Sequence, residues 1–181
     1  RMRPRRLLAL LLPLVSGQTL FFSQYQEGSS NNKYWQIYNP TDAEIDLAND
    51  YSIARCSNGC GSGPTFEYGW NFASGATIAA GGTYTVCNSG LADTSSCDEV
   101  DNSPTGYNGD DFFALISGTD DSTATSADII DQIGLFSETD PGSYWPVCGS
   151  DSGIDTQNEL LLRATTTCTG ETDGASFEDS F

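Results

Sequence analysis

Residues 20–41 contain two segments whose side chains alternate in character, and this alternation constrains the fold more than any other feature. Within residues 20–25 and again within 34–39, neighbouring side chains alternate with the period of a half-buried strand. Residues 26–33 between them are polar and rich in Gly, Ser and Asn, which tolerate turns. The stretch therefore predicts two neighbouring strands joined by a connection longer than a tight hairpin, and the strand breaker at 39–42 ends the second strand.

Further short segments along the chain also have strand character. They alternate or are rich in β-branched and aromatic residues, and turn-forming residues separate them. Helix periodicity is weak, although residues 127–136 fit a helix or a strand. Eight or nine short strands predict an all-β fold, an antiparallel β-sandwich or barrel. The additional predicted strands lie in residues 44–47, 51–55, 65–72, 83–87, 111–116, 127–136 and 159–164.

The first seventeen residues have the features of a secretory signal peptide. Four arginines precede the apolar run 7–15, which is too short to span a bilayer, and two small residues follow where cleavage is expected. A short anchor or a buried segment is the alternative. We therefore expect residues 1–17 to be removed from a secreted protein that keeps no membrane attachment, with one domain over 18–170 and an acidic tail over 171–181.

Charge excludes one class of partner. The chain has 25 acidic and seven basic residues, and removal of the signal peptide leaves only Lys33, Arg55 and Arg163 as basic residues, a formal charge of −22. Nucleic-acid binding draws its affinity from clustered cations that displace counterions. We therefore expect no nucleic-acid binding by this domain alone. The ordinary interpretation of such a charge is a solvated acidic surface.

The six cysteines are even in number, which fits an oxidising compartment. Many connectivities are possible. Pairing in sequence order is favoured because each pair then closes a short loop rich in turn-forming residues, and each closure stabilises by about 2–4 kcal/mol. A zinc site is disfavoured, since the chain has no histidine and no CxxC pair. The predicted bridges are Cys56–Cys60, Cys87–Cys97 and Cys148–Cys168.

Several motifs lie in a fixed order within residues 20–170, among them EGSSNNKYWQIYNPT, IAAGGTYTVCNSG, YNGDDFFALISG and NELLLRATTTCTG. Together they resemble the lamin tail domain in its secreted, microbial form, which is often attached to extracellular nucleases. The resemblance implies an immunoglobulin-like antiparallel β-sandwich, in agreement with the number of strands. It also implies an accessory module whose ligands vary and which has no catalytic machinery.

Two positions depart from the pattern of that family. Relatives usually show SEY in the first strand and an acidic residue in the strand after the lysine, whereas this chain has Gln24 and Gln36. If those positions form an acidic site in relatives, the site is weakened here.

The residue inventory argues against an enzyme. Without histidine, the chain lacks the usual general base for a serine or cysteine nucleophile, and the histidine that the associated nucleases need. Paired carboxylates can serve a glycosidase. However, Asp110 with Asp111, and Asp120 with Asp121, are adjacent in sequence and would point to opposite faces of a strand.

Acidic loops offer oxygen ligands of the kind that calcium prefers. Residues 98–111 and 151–159 are rich in such ligands, but neither has the regular spacing of an EF-hand loop, and a solvated acidic loop is the alternative. Residues 88–108 as a whole are predicted to form a surface loop. No cofactor is expected apart from calcium, and its candidate ligands are Asp98, Asp101, Asp110 and Asp111.

Aromatic side chains form a second candidate site. Together with Tyr34, Tyr68 and Tyr144, the tryptophans Trp35, Trp70 and Trp145 could form a platform for sugar rings or a protein partner. In alternating strands half of such rings face the core, so plain core packing is the alternative. The sequence thus predicts a secreted, non-catalytic binding or structural module whose partner is an extracellular protein or glycan. The alternative is an accessory domain or remnant of an extracellular hydrolase, a nuclease, whose catalytic domain is absent from this chain.

Overall fold

In the computed structural model, the described residues are 18–61, 65–120, 123–136, 140–147, 153–164, 170 and 172. Short strands dominate this part of the chain. The strands are β1 Phe21–Glu27, β2 Lys33–Tyr38, β3 Ile45–Asp46, β4 Tyr51–Cys56, β5 Tyr68–Asn71, β6 Thr77–Ile78, β7 Thr83–Cys87, β8 Glu99–Val100, β9 Phe112–Ser117, β10 Ile129–Ile133, β11 Pro146–Val147, β12 Ile154–Asp155 and β13 Leu160–Leu162. Between them lie a helical turn, α1 Leu47–Asp50, and a 3₁₀ turn, Ser126–Asp128.

The longer strands form two sheets. One sheet has the order β13-β1-β2-β7-β8, and the other has the order β10-β9-β4-β5. Neighbouring strands are antiparallel except β7 and β8, which are parallel. The sheets pack face to face, because one apolar cluster draws side chains from both of them. The predicted fold, an immunoglobulin-like β-sandwich, is therefore confirmed.

Aromatic rings fill the space between the two sheets. Trp35 of β2 lies 5.6 Å from Phe113 of β9, and Phe22 of β1 lies 5.1 Å from the same ring, measured between ring centroids. All three side chains are almost completely buried. Truncating a buried ring of this size costs about 3–5 kcal/mol, so this cluster is a main source of stability.

The predicted strand pair in residues 20–41 is confirmed, since β1 and β2 pair antiparallel across the sheet. Strict alternation is broken at Ser23, where the register shifts between Phe22 and Gln24. This bulge places both Phe22 and Tyr25 in the core, although they are three residues apart. Alternation alone puts these two side chains on opposite faces.

Two of the predicted strands begin several residues after their predicted start. In the predicted strand 65–72, an isolated bridge at Thr65 precedes β5. In the predicted strand 127–136, the 3₁₀ turn occupies the first residues and β10 follows it. Thr125 caps that turn with its side chain and completes a capping box with Asp128, which holds the backbone in a turn at this point.

The predicted surface loop 88–108 returns to the core at its end. Tyr107 is fully buried, and its ring stacks on Tyr25 at a centroid distance of 4.9 Å. Its hydroxyl donates to the backbone carbonyls of Gln26 and Tyr34, at 2.7 and 2.9 Å. A buried tyrosine needs such partners, and the tertiary structure supplies them from two other strands.

The three basic side chains of the described residues lie in ion pairs. Both members of two of these pairs are nearly fully buried, and breaking a buried pair costs about 3–5 kcal/mol because an unpaired charge remains inside. The three positive charges are therefore neutralised by carboxylates of the same chain. The pairs are Lys33 with Glu27 at 3.1 Å, Arg163 with Asp131 at 2.7 Å, and Arg55 with Asp111 at 3.7 Å.

A second apolar cluster covers the outer face of the four-stranded sheet. Side chains of β4 and β9 that point away from the first core pack under phenylalanines from the loops around them. The central strands of this sheet, β4 and β9, are consequently buried on both faces. The buried members are Ala54, Cys56, Phe112, Ala114, Ile116, Ala124 and Ile129, and the covering residues are Cys60, Phe66 and Phe136.

Three predictions lie wholly or mostly outside the described residues. They are the signal peptide over 1–17, the bridge between Cys148 and Cys168, and the acidic tail over 171–181, of which only residue 172 is described. Within the described ranges, no helix has the length and apolar character needed to cross a membrane.

Candidate binding groove

A polar groove of about 610 Å³ lies against the five-stranded sheet. The floor is made by side chains of three adjacent strands, β1, β2 and β7, that point away from the core. On β2 the outward direction follows from alternation. Trp35 and Ile37 are fully buried, so the alternate positions Tyr34 and Gln36 face outward. The floor residues are Gln24, Gln26, Tyr34, Gln36 and Thr85.

The floor side chains form a hydrogen-bonded network across the three strands. Gln24 Nε2 donates to Gln36 Oε1 at 3.2 Å, and Gln36 Nε2 donates to Thr85 Oγ1 at 3.0 Å. The Tyr34 hydroxyl donates to Gln24 Oε1 at 2.8 Å, and Ser23 Oγ also donates to Gln36 Oε1 at 2.9 Å. Each amide is therefore held in one orientation, and each uses one of its two N–H groups in these bonds.

Tyr34 supplies the ring of the floor. Its side chain is half-buried, and burial raises the pKa of its phenol above the ordinary value. The hydroxyl is thus neutral near pH 7 and acts as a hydrogen-bond donor to Gln24. Tyr34 thus places a partly exposed aromatic side chain beside two fixed amides.

The loop after β7 forms the wall of the groove, with Leu91, Ala92, Asp93 and Ser96 facing the cavity. A disulfide between Cys87 and Cys97 joins the two ends of this loop, as predicted. The loop is also tied to the floor, because the Asp98 carboxylate accepts a 2.8 Å hydrogen bond from the backbone N–H of Thr85. The wall is therefore held in place by one covalent bond and by backbone contacts.

Asp93 is the carboxylate of the wall. Hydrogen bonds from Ser95 to its carboxylate lower the pKa of Asp93, the backbone N–H at 2.9 Å being the main one. This group is consequently ionised at neutral pH. It is a poor general acid, because efficient proton transfer needs a pKa close to the working pH.

Backbone groups of the floor are already paired. In the five-stranded sheet β1 lies between β13 and β2, β2 lies between β1 and β7, and β7 lies between β2 and β8. A ligand in the groove therefore meets side chains and not an open strand edge. Recognition at this site depends on the amides, the hydroxyls and the Tyr34 ring.

Two of the four calcium candidates hold the backbone of the long acidic loop. Besides its bond to Thr85, Asp98 follows the disulfide at the end of the groove wall. Asp101 accepts from the backbone N–H of Ser103 at 2.7 Å and from Trp70 Nε1 at 3.1 Å. Both carboxylates are engaged in local structure.

The other two calcium candidates lie at the start of β9. Asp111 accepts from the backbone N–H groups of Asn58 and Asn108 and pairs with Arg55. Burial raises the pKa of the neighbouring Asp110. Within the described residues, no group of three or more Asp, Glu or Cys residues is close enough to hold a metal ion, so the four candidates do not converge there. Calcium binding stays a prediction.

The predicted tryptophan platform is not assembled. Trp35 and Trp145 lie in the core with exposures of 0% and 2%. Trp35 does so because its position on β2 faces the opposite sheet, whereas Trp145 lies just before β11. Trp70 is partly exposed but packs edge to face on Trp35, at a centroid distance of 6.0 Å. Trp70 and Tyr68 line a separate, very small pocket beside β5. The aromatic ring in the polar groove is that of Tyr34, next to Trp35 in sequence and on the other side of β2.

Most groove residues are not predicted from the sequence. Gln24 and Gln36 stand out in the sequence only as departures from a family pattern, and no pattern assigns Gln26 or Thr85 to a binding site. Tyr34 is a member of the predicted aromatic platform, and it does line the groove. A usable signal exists, since these residues occupy outward positions of alternating strands. Thr85 lies 49 residues from Gln36 in the sequence, so no local pattern predicts their contact.

Two mainly antiparallel sheets packed around an aromatic core define an immunoglobulin-like β-sandwich, and here one outer face is polar. The family model of the Lamin Tail Domain matches residues 15–136, which is more than half of the chain and includes every residue of the groove. The chain therefore belongs to the lamin tail domain family, as its motifs imply. Comparison with curated proteins finds no match.

Proposed function

We propose that this chain is a secreted, non-catalytic binding module of the lamin tail domain family and that the groove is its binding site. The observation that carries the proposal is the network of Gln24, Gln36 and Thr85, which orients polar groups toward an open cavity. Side chains fixed before a ligand arrives lose little freedom on binding, and such preorganisation raises affinity.

Secretion is supported by two independent features. Residues 1–17 have the composition of a signal peptide. In addition, Cys56 bonds to Cys60 and Cys87 bonds to Cys97 in this fold. Structural disulfides form and persist in oxidising compartments and are rare in reducing ones.

A non-catalytic role is supported by the chemistry of the groove. Its lining consists mainly of amides, hydroxyls and small apolar groups, with Asp93 as the carboxylate among the described lining residues. A glycosidase needs two carboxyl groups flanking its substrate, and a serine or cysteine nucleophile needs a base. The chain has no histidine to serve as that base.

The ion pairs support the proposal that this domain alone does not bind nucleic acid. The basic residues of the described chain, Lys33, Arg55 and Arg163, each contact a carboxylate. Their charges are therefore compensated before any phosphate approaches. Counterion release, the main source of non-specific nucleic-acid affinity, needs cations that are available at the surface.

The test is a variant that fills the groove. Ala92 is exposed on the wall, so Ala92→Trp places a large side chain at the cavity without altering the core. The full chain is titrated over immobilised neutral polysaccharide, acidic polysaccharide and gelatin. We expect saturable binding to one of them that Ala92→Trp weakens by about tenfold or more.

The matched control is Ala43→Trp, which adds the same side chain at an exposed position that does not line the groove. It should bind like the unmodified chain. Equal binding by the Ala92→Trp variant and the unmodified chain would place the binding site elsewhere and refute the proposal.

A further inference from the structure

We propose that the ligand of the groove is a neutral oligosaccharide chain, bound by side chains over the amide network of β1, β2 and β7. This inference rests on the proposed function and adds the chemical class of the ligand. Charge, hydrogen-bonding capacity, ring placement and strand order each contribute to it.

Charge argues against an anionic ligand. The described lining residues include no Lys or Arg, and the wall contributes the ionised Asp93. The three cations of the described chain are paired with carboxylates. A phosphate or uronic acid in this groove would leave water without gaining a counter-charge, a step that costs free energy. A ligand without charge avoids this penalty.

Hydrogen-bonding capacity fits a polyhydroxyl ligand. The side chains of Gln24 and Gln36 each have a second N–H group beyond the one used in the network. The Thr85 hydroxyl adds a group that both donates and accepts, and Gln26 adds another amide whose Nε2 donates to the Asn32 carbonyl. Sugar hydroxyls are also both donors and acceptors, so neighbouring hydroxyls of one ring can bind adjacent amides of the floor.

Ring placement fits a sugar as well. The partly exposed side chain of Tyr34 lies beside the amides of the floor, and Leu91 and Ala92 lie on the wall. Pyranose rings combine an apolar face of C–H groups with a polar rim. An aromatic ring flanked by fixed polar groups matches that arrangement, since it removes the apolar face from water while the rim keeps its hydrogen bonds.

Strand order argues against an extended peptide. Peptides commonly bind sheets by adding a strand to an open edge, where backbone hydrogen bonds supply the affinity. The three floor strands are all interior strands, so no edge is offered in the groove. The cavity volume of about 610 Å³ lies within the range of roughly 300–1,000 Å³ that is usual for small-ligand sites, which suits a short stretch of a glycan.

The experiment is a calorimetric titration of the full chain with hexasaccharides. The neutral probes are cellohexaose, laminarihexaose, mannohexaose and xylohexaose, and the charged probes are hexagalacturonate and chitosan hexaose. We expect at least one neutral probe to bind and hexagalacturonate not to bind. Loss of one neutral hydrogen bond lowers affinity by about 2–10-fold, so Gln36→Ala should weaken binding by that factor.

Variants separate the ring from its hydroxyl. Tyr34→Ala removes both and should weaken binding by about tenfold or more, whereas Tyr34→Phe keeps the ring and should weaken it less. Matched controls are Tyr144→Ala and Gln157→Ala, exposed residues outside the groove, which should bind normally. Circular dichroism checks that each variant is folded.

The outcomes distinguish this inference from the proposed function. If no neutral probe binds, or if a neutral probe binds the unmodified chain and the Gln36→Ala and Tyr34→Ala variants equally well, the sugar inference is refuted. If gelatin or a charged glycan binds and Ala92→Trp abolishes that binding, the groove remains the binding site and only the ligand class is wrong. If Ala92→Trp leaves all binding unchanged, both proposals fail.

Discussion

The outer faces of the two sheets differ in what lies over them. On the four-stranded sheet, Phe112 points away from the central core but is buried between Phe66 and Phe136, with centroid distances of 6.2 and 5.5 Å. On the five-stranded sheet, the outward positions carry Gln24 and Gln36 and face a groove. One outer face is thus an extension of the core, and the other is a polar surface open to a ligand.

This difference is visible in the two types of strand sequence. In β9, FFALIS, five consecutive residues are buried, which is the pattern of a strand covered on both faces. In β2, KYWQIY, buried and partly exposed positions alternate along the whole strand. A continuous apolar run therefore marks the structural sheet, whereas alternation marks the sheet that keeps one face available for binding.

The largest expected effect comes from placing a charge on each face of β2. Ile37 is fully buried, so Ile37→Asp leaves an unpaired carboxylate in the core and should unfold the domain. Its neighbour Gln36 faces the groove, and Gln36→Asp should cost about 1 kcal/mol or less. Near-ultraviolet circular dichroism and thermal melting compare the two. A wild-type melting curve for Ile37→Asp would show that this strand does not face the core.

The second cluster can be tested by truncation. Phe112→Ala removes a fully buried ring between the sheet and its covering loops and should lower the free energy of unfolding by about 3–5 kcal/mol. Tyr144→Ala, at a side chain that is 45% exposed, should change it by about 0.5 kcal/mol or less. Urea denaturation measures both values. Similar losses in the two variants would mean that the outer cluster adds no stability.

The disulfide of the groove wall should have the next largest effect. Replacing Cys87 and Cys97 together by Ser removes a closure between residues ten apart and should lower the free energy of unfolding by about 2–3 kcal/mol. The bridge between Cys56 and Cys60 spans only four residues, so its removal should cost less. Non-reducing peptide mapping should find Cys87 linked to Cys97. A peptide that links Cys87 to Cys148 would contradict this pairing.

The smallest effect concerns Asp110. Burial raises the pKa of its carboxyl, and the charges of Asp111, Asp140 and Glu27 raise it further. A hydrogen bond from its own backbone lowers the pKa but does not cancel these effects. A carboxyl with a raised pKa binds its proton more tightly in the folded protein than in the unfolded protein. Stability therefore falls as pH rises from the unfolded pKa through the folded pKa, and the cost is complete above the folded pKa.

Asp110→Asn removes this cost and should raise the melting temperature slightly near pH 7. The gain should shrink below about pH 3.5, where the carboxyl is largely protonated in both states. Asp42→Asn, at an exposed carboxylate, is the matched control. A melting-temperature gain for Asp110→Asn that is the same at both pH values would exclude titration of Asp110 as its cause.

Local sequence was sufficient for nine of the thirteen described strands, the fold class and two of the bridges, but it missed the two-residue strands β6, β8, β11 and β12. Alternation over residues 34–39 predicts β2 and its buried positions, because the side-chain period of a strand is a property of the backbone itself. Short loops between cysteines likewise predict Cys56–Cys60 and Cys87–Cys97, since nearby chain ends meet at little entropic cost. The motifs of residues 27–33 and 107–118 point to the family that the match over 15–136 establishes.

Tertiary structure alone decided the groove and the internal charges. The pairing of β2 with β7 brings Thr85 to Gln36, and the fold brings Arg163 to within 2.7 Å of Asp131, which lies 32 residues earlier. Because of the bulge at Ser23, the β1 residues after it face the side opposite to the one that strict alternation predicts. These contacts join distant segments, and their free energy depends on how whole sheets pack. Local periodicity therefore tells which side of a strand is apolar, but only the packed sheets determine which polar side chains meet there.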